Sequence, residues 1–302
     1  MSKALVRRET IAGYLFMIPS LIFFVGFVVY PMVLCIYTSL FDSTMGKEDV
    51  FIGFANYKEL VRDPIFLGAL KNTLIIVLVS VPTVCAFSLW VGSAIYKLKG
   101  WLRSLYRCVF YLPVVTGSVA VTVVWKWMFN NYYGIFNYVG KSLGIIDKNI
   151  NWLGDERFAL GCIILILFTT SVGQPIVLYV SALGNVDHSL VEAAEVDGAS
   201  RFQRVLHIDF PALLPTITIM LILRMGHIMG IGFEKTYLMQ NSLNLSRSEI
   251  ISTFVYKKGL GAGASNDYSY STAISMFNSV INLILITVVN QIARHVGDTS
   301  LW

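Results

Sequence analysis

The sequence predicts an all-α membrane protein: six transmembrane helices, with a cytoplasmic helix-turn-helix loop between the fourth and the fifth. Three observations carry that prediction. The 302 residues are 56% hydrophobic and 14% charged, with a mean hydropathy of +0.67, which is too apolar for a soluble domain of this length. Six segments, at about 11–40, 72–96, 108–129, 158–183, 212–239 and 268–293, reach the roughly 20 residues that a helix needs to cross a hydrocarbon core. Between the fourth and fifth lies a polar island, Asn185 to Pro215, which holds five of the eighteen acidic residues. The chain therefore reads as a single permeating domain, 1–302, with the island at 185–215 as its loop.

The first segment is too long for a signal peptide and lacks a cleavage-like site, so it should stay as a span, kinked at Pro19 or Pro31. Lys3, Arg7 and Arg8 precede it, and Lys97, Lys99, Arg103 and Arg107 crowd the link between spans two and three without an acid among them. Basic loops stay on the cytoplasmic side, so both regions are expected inside. An even span count then places the island and both termini inside as well. Trp125 and Trp127 around Lys126 read as an outer interfacial anchor with a snorkelling lysine.

Of the outer links, 130–157 is modest, with no sign of a separate folded domain. The other, 240–267, contains Ser246 and Glu249 at capping-box spacing, then Lys257, Lys258 and Gly259 as a helix end. Ile250, Ile251, Phe254 and Val255 fall on one side of that helix and should rest on the membrane face or on neighbouring spans. Cys35, Cys85, Cys108 and Cys162 lie in or beside apolar segments without CxxC spacing and read as small hydrophobes. The net charge of +5 is spread too thinly for a nucleic-acid surface, so no nucleic-acid partner is expected.

Within the island, Asp187 and Ser189 are N-cap candidates for a short helix whose Leu190, Ala193, Ala194 and Asp197 share a face. Gly198 supplies a left-handed residue to end it. Ser200 and Gln203 form a capping box for a second short helix, expected to stop before Pro211. Glu192-Ala193-Ala194, Gly198, Ile208 and Pro211 stand at a spacing that resembles the EAA loop of ABC importer permeases, departing from it at Phe210 where that pattern has leucine. The opening YLFMIPSLIFFVGFVVYPMVL, and Gly53 to Tyr57 with Asn72-Thr73, resemble carbohydrate permeases of the maltose and glycerol-3-phosphate transporter type; the ending DTSLW is similar to an oligo- and polysaccharide subgroup.

That resemblance implies a bacterial inner-membrane subunit working beside a second six-span permease, two ATPase subunits that bind ATP and Mg, and an extracytoplasmic solute-binding protein that delivers a carbohydrate. It also implies that Glu192, Ala193, Ala194, Asp197, Gly198, Ile208 and Pro211 couple the chain to the ATPases. No HExxH, GxSxG or P-loop pattern occurs, so neither catalysis nor a cofactor is expected in this chain.

Span five carries the least apolar membrane chemistry. Arg224 lies nine residues past Pro215, roughly 14 Å along a helix, where a charge costs on the order of 3 kcal/mol and must face protein or water. His227 follows on the same side, and Gly226 with Gly230 makes a small-residue face. Gln174 beside Thr169 and Thr170, and the pair Asn278 and Asn282, add polar groups at membrane depth. Two readings stand. Gln174, Arg224, His227, Asn278 and Asn282 line a sugar path, or they join helices by hydrogen bonds, with Arg224 anchoring a carbonyl or an acid. Other function classes are a permease for a phosphorylated or acidic solute and an ion-coupled secondary transporter. The second needs a deep carboxylate or an inverted repeat, and neither is visible in the spans.

Overall fold

The computed structural model describes residues 3–42, 49–226, 230, 232–261 and 267–297, and these are almost entirely helical. Five helices are long and apolar enough to cross a membrane, or six when a bent pair counts as one span. The contacts divide the chain into two units, residues 1–62 with 255–277, and residues 63–254 with 278–302.

In the first unit, α1 (Lys3–Phe24) runs through Pro19 without a break. It then widens into a π-turn, Val25–Val29, before α2 (Tyr30–Ser39). The Tyr30 amide donates to the Val25 carbonyl, five residues back, and Pro31 follows at once. A proline ring collides with the carbonyl four residues before it, and a wider turn moves that carbonyl aside. Of the two expected kink sites, only Pro31 is marked by irregular backbone. A two-stranded ladder, β1 (Phe41–Asp42) against β2 (Val50–Phe51), leads to α3 (Ala55–Arg62). The Asn56 amide donates to the Ser39 carbonyl at 3.0 Å, and the Tyr57 hydroxyl to Ser39 Oγ at 2.8 Å, so both side chains hold the end of α2.

The second unit is built on α4 (Pro64–Tyr96), a 33-residue helix capped by Asp63, whose Oδ1 accepts from the Ile65 amide at 2.8 Å. Against it pack α8 (Glu156–Ser171) and α9 (Gly173–Leu183), which form one span through the helical Val172. Buried aliphatics interlock in layers: Ile76 with Ile163, Ile166 and Leu167, then Val84 and Val91 with Ile176 and Val180. Small residues let the helices approach. A methyl group on Gly173 would stand 2.3 Å from the Phe110 carbonyl oxygen, and one on Gly92 would stand 3.2 Å from Tyr179 Cβ.

The third expected span, 108–129, departs from a straight helix. It begins earlier, as α5 (Gly100–Val115), and turns by 95° into α6 (Ser118–Met128). At the corner Thr116 is extended, and Gly117, with φ −53° and ψ 129°, is also non-helical. Thr116 caps the first arm by sending its amide and its hydroxyl to the Leu112 carbonyl, at 3.0 and 2.9 Å. After α6, the short α7 (Ile135–Ser142) closes a turn around the buried Asn137, whose amide reaches the Ile150 carbonyl at 2.9 Å and accepts from the Trp152 indole at 3.0 Å. Lys126 is exposed, and its ammonium donates to the Leu238 carbonyl at 3.0 Å.

The fifth expected span, 212–239, also breaks. The described part of its first helix runs to Gly226, and α13 (Phe233–Met239) starts after Gly232, which has a φ of 77°. A side chain at Gly232 would both strain that backbone and meet Leu167 Cδ2 at 2.6 Å, so glycine is required there. Beyond it, the expected helix 246–258 is split into α14 (Leu245–Ser248) and α15 (Ile251–Gly259). The Ser246 hydroxyl is taken by Glu156 at 2.7 Å instead of capping, and Thr253 Oγ1 accepts the Ile250 amide at 3.1 Å to open α15. Ile250, Ile251 and Phe254 are buried, so this face packs on protein and not on lipid. The last helix, α16, is Tyr268–Gly297.

Candidate functional site

The island opens with α10 (His188–Val196), capped by Asp187, which accepts from the Ser189 amide at 2.9 Å. Its end is a Schellman turn. Gly198 has a φ of 73°, its amide donates to the Glu195 carbonyl at 3.2 Å, and the Ala199 amide donates to the Ala194 carbonyl at 2.9 Å. The capping box follows with both arms made: the Ser200 amide to Gln203 Oε1 at 2.8 Å, and the Gln203 amide to Ser200 Oγ at 3.3 Å.

The second helix of the island does not stop before Pro211. The short α11 (Arg201–Arg204) passes through a π-turn, Val205–Asp209, into α12 (Phe210–Gly226). Here too the residue before the proline, Phe210, donates to a carbonyl five back, that of Val205. The proline that was expected to end the helix is accommodated by the same device used at Pro31. Residues 201–226 therefore form one continuous helical rod from the island into the membrane segment.

Glu192, Ala193, Asp197 and Gly198 are exposed, while Ala194 and Ile208 are half-buried and Pro211 is exposed. Apolar side chains stand out beside them, with Val196 87% and Leu190 55% exposed. Arg204 ties the two arms by a 3.1 Å ion pair to Glu195, and a groove of about 270 Å³ runs between them along Ala194, Asp197, Gln203 and His207. Sequence spacing gave no sign of that pair, which joins residues nine apart across a turn. Asp209 was equally hidden: it is 5% exposed, and its Oδ2 has no partner among the described residues.

At membrane depth, Arg224 and Gln174 line one cavity of about 440 Å³ together with Thr170 and Ser171, and Val114, Met220 and Leu223 form its apolar walls. The Arg224 Nη2 donates to the Ser171 carbonyl at 3.0 Å. That carbonyl is open because Pro175, four residues on, has no N–H to give it. The signal was in the sequence, as a proline one turn past a serine, but its partner could not be named without the fold. Asn278 and Asn282 do not line this cavity; each has a buried Oδ1 without a partner among the described residues. His227 lies outside the described residues, as does the ending 298–302.

Residues 84–298 match the family of binding-protein-dependent transport system inner membrane components. The chain belongs to that family. Protein LplB of Bacillus subtilis is 34% identical over 298 residues, 96% of this chain and 90% of that protein. The polygalacturonan/rhamnogalacturonan transport system permease protein YteP of the same organism is 28% identical over 96% of this chain and 89% of that one. Two crystal structures superpose over nearly the whole length. One is a bacterial ABC transporter that imports the acidic polysaccharide alginate, with a TM-score of 0.84, 25% identity and coverage of 96% and 97%. The other is a bacterial alginate ABC transporter in complex with an alginate pentasaccharide-bound periplasmic protein, with a TM-score of 0.86, 26% identity and coverage of 98% and 98%. As a binding-protein-dependent inner membrane component, the chain is a multi-pass permease subunit of an ABC importer, and not an enzyme.

Proposed function

We propose that the chain is one of two six-span permeases in an ATP-driven importer of oligo- or polysaccharides. It takes substrate from an extracytoplasmic binding protein, and two ATPase subunits that bind ATP and Mg dock on its island. The observation that carries this reading is the continuous rod from the island to Arg224. Docking helices can drive a membrane cavity only if the connection is stiff, and one helical run from residue 201 to 226, carried past Pro211 by the π-turn, supplies that. The exposed Glu192, Leu190 and Val196 give the ATPase a charge and an apolar surface to hold. Support for a saccharide comes from the relatives, which include a lactose transport system permease protein, LacF of Rhizobium radiobacter, 32% identical over 71% of each chain.

In this reading the cavity at Gln174 and Arg224 belongs to the substrate path, and both termini lie in the cytoplasm. The test is Glu192→Lys in the assembled importer. Reversing this charge turns attraction to a basic ATPase surface into repulsion. ATPase recruitment and substrate-stimulated hydrolysis should fall while the permease pair still assembles and the binding protein still captures sugar. Full recruitment by the variant would make the island an ordinary loop.

A further inference from the structure

The cavity beside α9 and α12 holds a permanent positive charge with no ion-pair partner among the described residues. A guanidinium stays protonated and carries five N–H donors; here one bond, to the Ser171 carbonyl, is made. The ion pairs of Arg157 with Asp155 and of Arg204 with Glu195 do not reach Arg224. Tyr179, the nearby polar group on α9, turns its hydroxyl toward Cys85 Sγ at 3.5 Å. An arginine kept at membrane depth with only a neutral acceptor is costly, and the cost falls when an anion enters.

The fixed end of the guanidinium matters as much as its charge. Because Pro175 leaves the Ser171 carbonyl open, Nη2 is pinned and the fork is held in one orientation at the cavity wall. Such a pre-set fork matches the two oxygens of a carboxylate. Gln174 is exposed in the same cavity and makes no hydrogen bond to a described residue, so its amide can serve hydroxyls on the same sugar ring. The apolar wall of Val114, Met220 and Leu223 can take a ring face.

Resting on the import reading above, we infer that Arg224 selects acidic oligosaccharides: a uronate carboxylate occupies its free donors as the sugar passes, and neutral sugars of the same length are disfavoured. The experiment uses the complete importer in detergent, without nucleotide or binding protein, and follows its thermal unfolding with three probes: trigalacturonate, its methyl ester and maltotriose. Trigalacturonate should raise the midpoint of the wild type, and the two uncharged probes should not. Arg224→Gln should weaken the apparent trigalacturonate affinity by roughly tenfold or more, and Arg224→Lys, which keeps the charge but loses the fork, should fall between.

Equal stabilisation by the acid and its ester overturns the inference, as does an unchanged response in Arg224→Gln. If Arg224→Gln fails to assemble, the wild-type and lysine measurements decide. If both variants lose the partner permease while acid and ester act alike on the wild type, the guanidinium belongs to a carboxylate of that partner. Stabilisation by maltotriose alone would leave the import reading standing and remove the acidic one; failure of the intact importer, with its binding protein, to take up any saccharide would remove both.

Discussion

Gly198 and Gly173 are demanding for different reasons, and their variants should fail differently. Gly198 is exposed and has open space around it, so only its positive φ restricts it. Gly198→Val should cost at least about 1 kcal/mol locally, because a β-branched side chain tolerates that region worst. The two arms of the island would lose their angle. We expect normal membrane insertion with a sharp loss of substrate-stimulated ATP hydrolysis, read on the purified complex. Gly173 has an ordinary backbone but sits 2.3 Å, by a built methyl group, from the Phe110 carbonyl. Gly173→Ala should instead push α5 from α9 and lower stability by about 1–3 kcal/mol, seen as a lower thermal midpoint of the whole complex.

At the level of elements, the two π-turns share one register: five residues, then a residue bonded five back, then proline. Pro211→Ala restores an amide that can bond in the ordinary way, so the rod can close to α geometry and turn the island relative to the membrane segment by up to about 100°, one residue's worth of rotation. Transport should drop although the helix becomes more regular, and hydrogen exchange should show a newly protected amide at 211. Removing both arms of the capping box, Ser200→Ala with Gln203→Ala, should fray α11 at a cost of about 0.5–2 kcal/mol, visible as faster exchange over 200–204.

The sequence could be read at these elements only as far as local rules reach. Asp187, Gly198 and the Ser200–Gln203 box have the geometry their residue types demand, because each is settled within four positions. Pro211 was misjudged because the local rule, that proline ends a helix, yields when a wider turn moves the clashing carbonyl. Ser246 was misjudged because Glu156, ninety residues away, competes for its hydroxyl. The Arg224 to Ser171 bond joins residues 53 apart and was legible only as two half-facts, a deep charge and a proline.

For the whole molecule, hydropathy located the apolar stretches, but it measures affinity for lipid and is blind to direction, so the 95° corner at Thr116–Gly117 and the break at Gly232 escaped it. Topology is testable directly. Single cysteines placed at Ser2 and at Ser300 in a cysteine-free background should both resist an impermeant maleimide in intact cells and react after permeabilisation; labelling of either before permeabilisation would reverse the arrangement. The first apolar helix, Ala12–Ser39, has 0% of its most apolar window buried inside the chain, whereas the span Glu156–Leu183 has 56%. A helix in lipid is not forced to pack, so a span with none of its most apolar window buried can insert all the same. In the proposed importer its cover is then a matter of copy number: how often a partner permease is met in the plane of the membrane would fix what fraction of chains are complete. Surplus chains, made without that partner, should be the ones that membrane proteases clear, and a pulse-chase with the partner silenced should show a shortened lifetime, not a failure to insert.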